Sequence, residues 1–109
     1  MYGLIAKLTL TAGHRDEMIV LFKESAASMP GCLSYVVSKD IADQNILWVT
    51  EVWDSAQSHD ASLSLAQVKN VIPRARAIVA NFEKVAVTNP ICDLGFDPAF
   101  STLESTPRK

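Results

Sequence analysis

What this sequence has little of narrows it at once. Two cysteines, Cys32 and Cys92, occur in 109 residues. Small secreted domains stapled by disulfides use more, so both are expected to be free thiols in a reducing compartment. Glycine is scarce, and Gly3, Gly13, Gly31 and Gly95 are too dispersed to build a phosphate-cradling loop. The two histidines, His14 and His59, lack spaced carboxylate or thiolate partners, so no metal site is expected. Basic charge is not in excess: ten Lys and Arg against twelve Asp and Glu leave a net charge of −2, with Lys69, Arg74 and Arg76 the densest group. Nucleic acid normally demands a basic stripe that displaces counterions, so it is not an expected partner. No apolar run approaches the roughly 18 residues that cross a bilayer. Met1 leads straight into alternating residues, with no basic-then-apolar leader. These absences predict a cytoplasmic protein without membrane attachment.

What is present suffices for one core. Hydrophobic residues make up 49% of the chain, ordinary for a folded domain and far from disorder, and this length makes one domain. In residues 3–11, Leu4, Ala6, Leu8 and Leu10 share one face, while Lys7, Thr9 and Thr11 take the other with Ile5. That is the period-two pattern of a strand. From His14 the period lengthens. Met18, Leu21, Phe22, Ser25, Ala26 and Met29 recur at helical spacing, Asp16 and Glu17 suit a helix start, and Pro30-Gly31 is expected to end it. Residues 32–39 alternate again, and the polar stretch 40–45 reads as a hairpin loop. In residues 46–53, Trp48 and Val52 point one way, and Leu47, Val49, Glu51 and Trp53 the other. Residues 55–63 predict a short helix. Leu65, Val68, Ile72, Ala75, Val79 and Phe82 extend a second helical stripe, in which Pro73 predicts a kink or break near Ile72. Residues 83–88 predict the last strand, closed by Asn89-Pro90. Residues 1–91 thus form the domain and 92–109 a partly ordered tail, with apolar islands at 94–96 and at Phe100.

This order predicts an α+β, ferredoxin-like β-α-β-β-α-β fold, its second helical stretch divided in two, with a four-stranded antiparallel sheet and helices on one face. Most of the strands also carry apolar side chains on their second face. One helix layer covers only one face, and a two-fold partner would cover the other. A homodimer is the expectation that follows.

Two stretches carry a family resemblance. Gly31-Cys32-Leu33-Ser34-Tyr35 opening the second strand, and Glu51-Val52-Trp53-Asp54-Ser55 ending the third, resemble the antibiotic biosynthesis monooxygenase family. The following Ser58-His59-Asp60-Ala61-Ser62-Leu63-Ser64-Leu65 is similar to its quinol-monooxygenase-like subgroup. The resemblance covers roughly residues 2–88 and implies a dimeric α+β barrel, with a pocket between each sheet and its helices. It also implies oxidation of a small phenol or quinol by dioxygen with no flavin, haem or metal cofactor. Many relatives carry a histidine nine positions after the residue matching Trp53. Here Ser62 stands there, and His59 lies one helical turn earlier, on the same helix face. A haem-degrading branch uses an Asn, a Trp and a His; the matching places hold Ala6 or Lys7, Ser62 and Ile72, which disfavours that activity.

The candidate chemistry is compact. An imidazole is the side chain whose ordinary pKa allows a switch near neutrality, which makes His59 the candidate acid or base, unless it merely decorates its helix. Glu51, between apolar Val49 and Trp53, must be paired or have a raised pKa. It either poises a substrate hydroxyl or anchors a cation such as Arg74 or Arg76. Trp53, Ser62, Tyr35 and Phe22 are expected to line the pocket, although aromatic residues serve equally as core or interface packing. Trp48 and Trp53 face opposite sides, so they do not line one cavity. Ser58, His59 and Asp60 are consecutive, and their side chains diverge around a helix, so they make no hydrolytic triad. Cys32 is expected to be a small buried hydrophobe. The leading expectation is a cofactor-independent monooxygenase acting on a small aromatic substrate and dioxygen. A non-catalytic dimeric binding protein for a phenolic or hydrophobic metabolite is the alternative. A bare interaction scaffold would show a collapsed pocket filled by Met18 and Phe22.

Overall fold

The computed structural model describes residues 1–91. The expectations for 92–109, including Cys92 and the apolar islands, lie outside the described residues. The elements run β1 (Tyr2–Leu10), α1 (Arg15–Ser25), β2 (Cys32–Lys39), β3 (Ile46–Trp53), α2 (Ala56–Ser62), α3 (Ala66–Ile78) and β4 (Val79–Thr88). The four strands form one antiparallel sheet in the order β2-β3-β1-β4. This is the ferredoxin-like α+β arrangement. Leu4, Ala6, Leu8 and Leu10 of β1 and Leu47, Val49 and Trp53 of β3 are all buried, as the period-two pattern requires. Met18 and Leu21 of α1 and Val71 and Ile78 of α3 close the core from above. Among the described residues no helix is long and apolar enough to cross a membrane.

Three local expectations need correction. The first helix ends at Ser25, not Met29. The Ser25 hydroxyl donates to the Phe22 carbonyl, Ser28 adopts a left-handed φ of 53°, and the Gln67 side chain captures the Ala27 carbonyl at 2.6 Å. Carbonyls that a continued helix would have bonded are thus held from α3. Second, α3 runs through Pro73 without a break. Pro73 and Lys69, whose carbonyl loses its helical donor, are both exposed, so water can serve the freed group. Third, β4 starts at Val79, so Val79 and Phe82 belong to a strand and not to the helical stripe. Their apolar spacing mimicked a helix because β4 carries register shifts against β1.

Candidate active site

Strand register brings the candidate residues together. Tyr2, Trp53 and Cys32 pair across β1, β3 and β2 as one row, and Leu4, Glu51 and Tyr35 form the next. Glu51 and Trp53 are two residues apart, so their side chains emerge on the same face, beneath α2. α2 is set over that end of the sheet by Ser55, whose hydroxyl caps the helix by accepting from the Ser58 amide at 3.1 Å. At its other end the Ser62 hydroxyl donates to the His59 carbonyl at 2.6 Å. The half-buried His59 imidazole thereby lies between two rings: Tyr2 with centroids 5.2 Å apart, and Trp53 edge-on at 5.6 Å.

All six residues named from the sequence (Phe22, Tyr35, Glu51, Trp53, His59 and Ser62) line one chamber of about 260 Å³ between the sheet and the helices. A dry cavity of about 150 Å³ admits benzene, so this one has room for a single substituted aromatic ring. Its walls are mostly aliphatic. Met18 and Phe22 line the space and do not fill it, contrary to the scaffold reading. Sequence reasoning missed three neighbours. Phe82 was placed in a helix, buried Ser25 has no motif, and Tyr2 reaches His59 only through strand register.

Glu51 is the chemical centre of the chamber. It is buried, at 8% exposure, and its Oε1 accepts the Trp53 indole N–H at 2.9 Å. His59 Nε2 stands 3.9 Å from the same oxygen. Burial pushes the Glu51 carboxyl above the usual carboxylate range; the Trp53 hydrogen bond and His59 oppose that shift without cancelling it. The expected anchor on Arg74 or Arg76 is not formed: Arg74 pairs with Glu24 of α1 at 2.6 Å, and Arg76 makes no ion pair with Glu51. Burial, then the charge of Glu51, drives the Tyr35 phenol far above its ordinary value, so its hydroxyl stays protonated. Cys32 is only half-buried, and its thiol lies 3.6 Å from the Ser34 carbonyl. Trp48 lies on the opposite sheet face, donating to Asp40 at 2.8 Å with Lys7 over its ring at 5.6 Å.

Comparison with known proteins gives this geometry a context. Residues 1–74 match the family described as antibiotic biosynthesis monooxygenase. A solved structure from Chloroflexus aurantiacus, named as a candidate antibiotic biosynthesis monooxygenase, is 47% identical over 88% of this chain and 98% of its own, with a TM-score of 0.83. Similarly named structures from Deinococcus radiodurans (23% identity, 85% and 95% coverage, TM-score 0.71) and Nitrosomonas europaea (10%, 84% and 100%, 0.76) share the fold. No curated protein matches the chain.

Proposed function

The chain belongs to the antibiotic biosynthesis monooxygenase family, and on that premise we propose that its chamber oxidises a small phenol or quinol with dioxygen, without a bound cofactor. The observation that carries this reading is a buried carboxyl, Glu51, raised in pKa and aimed with His59 into a mostly apolar chamber of single-ring size. An ionised phenol is electron-rich enough to reduce dioxygen itself. The aromatic supplies all four electrons: one oxygen atom enters the ring, the other leaves as water, and a phenol becomes a quinone. The protein has only to take the phenolic proton, exclude water and hold the partners together. Glu51 is the proton acceptor, since a carboxylate whose pKa lies nearer neutrality is the better base. Trp53 fixes its orientation, and His59 faces the same oxygen at 3.9 Å. Tyr35, Phe22 and Ser62 shape the walls.

The reading includes a homodimer in which two sheets pair through their outward faces, where Ile5, Trp48 and Val52 are half-buried and Val36 is exposed. Oxygen uptake by metal-free protein over a panel of hydroquinones and simple phenols tests the activity. Uptake is expected with at least one of them. Glu51→Gln should lower kcat by about 100-fold, the lower end of what a positioned general base contributes. No uptake across the panel, or uptake insensitive to Glu51→Gln and His59→Ala, overturns it.

A further inference from the structure

The Glu51 side chain is only about 10% exposed and stands among mostly apolar walls, where His59 is the neighbouring group that can take up a proton. Its Oε1 faces His59 Nε2 at 3.9 Å, and on the far side of the same ring Nδ1 lies 3.4 Å from Oδ1 of Asp60. Side-chain exposure rises along this line, from 10% at Glu51 and 14% at His59 to 78% at Asp60. Tyr2 and Trp53 hold the imidazole plane, so each nitrogen keeps its own carboxylate. An imidazole donates to both neighbours only when both nitrogens carry protons. A neutral imidazole protonated on Nδ1 instead gains a proton at Nε2 and then releases the one on Nδ1.

We propose that Glu51, His59 and Asp60 form a proton relay that carries the substrate's hydroxyl proton from the chamber to solvent. The relay rests on the phenol-oxidation reading and adds a direction to it. The substrate O–H bond breaks and its proton passes to Glu51. His59 takes that proton at Nε2 and yields the one on Nδ1 to Asp60, which exchanges it with water. Glu51 is the residue that meets the substrate. Asp60 touches neither substrate nor oxygen and is a positioning residue, acting through His59. The other groups against the ring, the Tyr2 phenol and the Trp53 indole, hold it by their faces and edges and lie outside the path.

The test uses the full-length protein and 4-nitrophenol, whose phenolate absorbs visible light, with the histidine ring nitrogens followed by ¹⁵N NMR. At a pH about one unit below the probe's own ionisation, bound probe should appear as phenolate, and an equal amount of proton should be released to the solvent, read with a pH indicator in weakly buffered solution. In Glu51→Gln the probe should still bind, but both signals should fall about tenfold. In Asp60→Asn both signals should persist, while exchange of the His59 ring proton with water, read by saturation transfer, slows about tenfold. Asp60→Glu should restore it, which a merely structural role for Asp60 does not predict. Phenolate formed with its proton retained on the protein, or exchange unchanged in Asp60→Asn, overturns the relay and leaves the oxidation reading standing. Failure of 4-nitrophenol and the hydroquinone panel alike to bind removes both, and the binding isotherm separates the two cases.

Discussion

At the scale of the residue, Glu51 carries most of the information. Its identity and its apolar neighbours announced a buried carboxyl, because alternation along β3 places it between Val49 and Trp53 on one face. The partner was not legible. Arg74 or Arg76 was the sequence's offer, yet the indole two positions along the same strand makes the bond. Indole N–H groups need acceptors wherever they are buried, and that rule, applied to Trp53, would have found it. The raised pKa has a consequence for folding. A carboxyl whose folded-state pKa exceeds its unfolded value contributes stability fully below its ordinary titration, and loses that contribution as pH rises through the raised value. Glu51→Gln mimics the neutral acid and keeps an oxygen for the indole. Denaturant titrations should therefore find the two proteins about equally stable near pH ~4, with the variant ahead by on the order of 1 kcal/mol near pH ~8. A wild type that gains on the variant as pH rises would mean that the His59 charge outweighs burial.

At the scale of the element, the order of strands and helices was legible because period two and period 3.6 are set by side-chain burial. The boundaries that failed did so for local reasons: a helix end held by Gln67, a proline on a solvated helix face, and a strand whose register shifts broke its alternation. The position of α2 over the sheet was equally hidden, because it depends on how closely two turns approach. Gly31 has φ of +83°, and its carbonyl accepts from the Asp54 amide at 2.9 Å. A Cβ there would stand 2.5 Å from Ser58 Oγ, 2.6 Å from Ser58 Cβ and 2.8 Å from Asp54 Oδ1. Gly31→Ala should thus cost about 1–3 kcal/mol, from left-handed strain plus crowding of the first turn of α2. Because His59 rides on that helix, its ring resonances should move as well. Chemical denaturation and the His59 ring spectrum check the two effects. A variant as stable as wild type, with His59 undisturbed, would show that α2 is not seated by this contact.

At the scale of the molecule, one face of the sheet is covered by α1 and α3, and the other is not covered within the described residues. Ile5, Val36, Trp48 and Val52 lie on that outward face, with Lys7 and Asp40 bracketing Trp48. Val36, at 49% exposure, has little to do in a lone chain. A second copy meeting this face about a two-fold axis would bury the same residues twice, which is how small sheets dispose of a second apolar surface. Sedimentation at micromolar concentration should therefore find dimers. Val36→Lys combined with Val52→Lys would put two ammonium groups from each copy into the junction, where burial without partners is costly. The double variant should sediment as a single chain with an unchanged far-ultraviolet spectrum, because in one copy alone both lysines reach water. If that species keeps Glu51 and His59 in place but loses binding of a phenol, the second copy matters to the chamber as well as to the sheet. If wild type itself sediments as a folded single chain, the pairing of sheets is wrong, while the chamber beneath α2, built entirely within one copy, is untouched by that result.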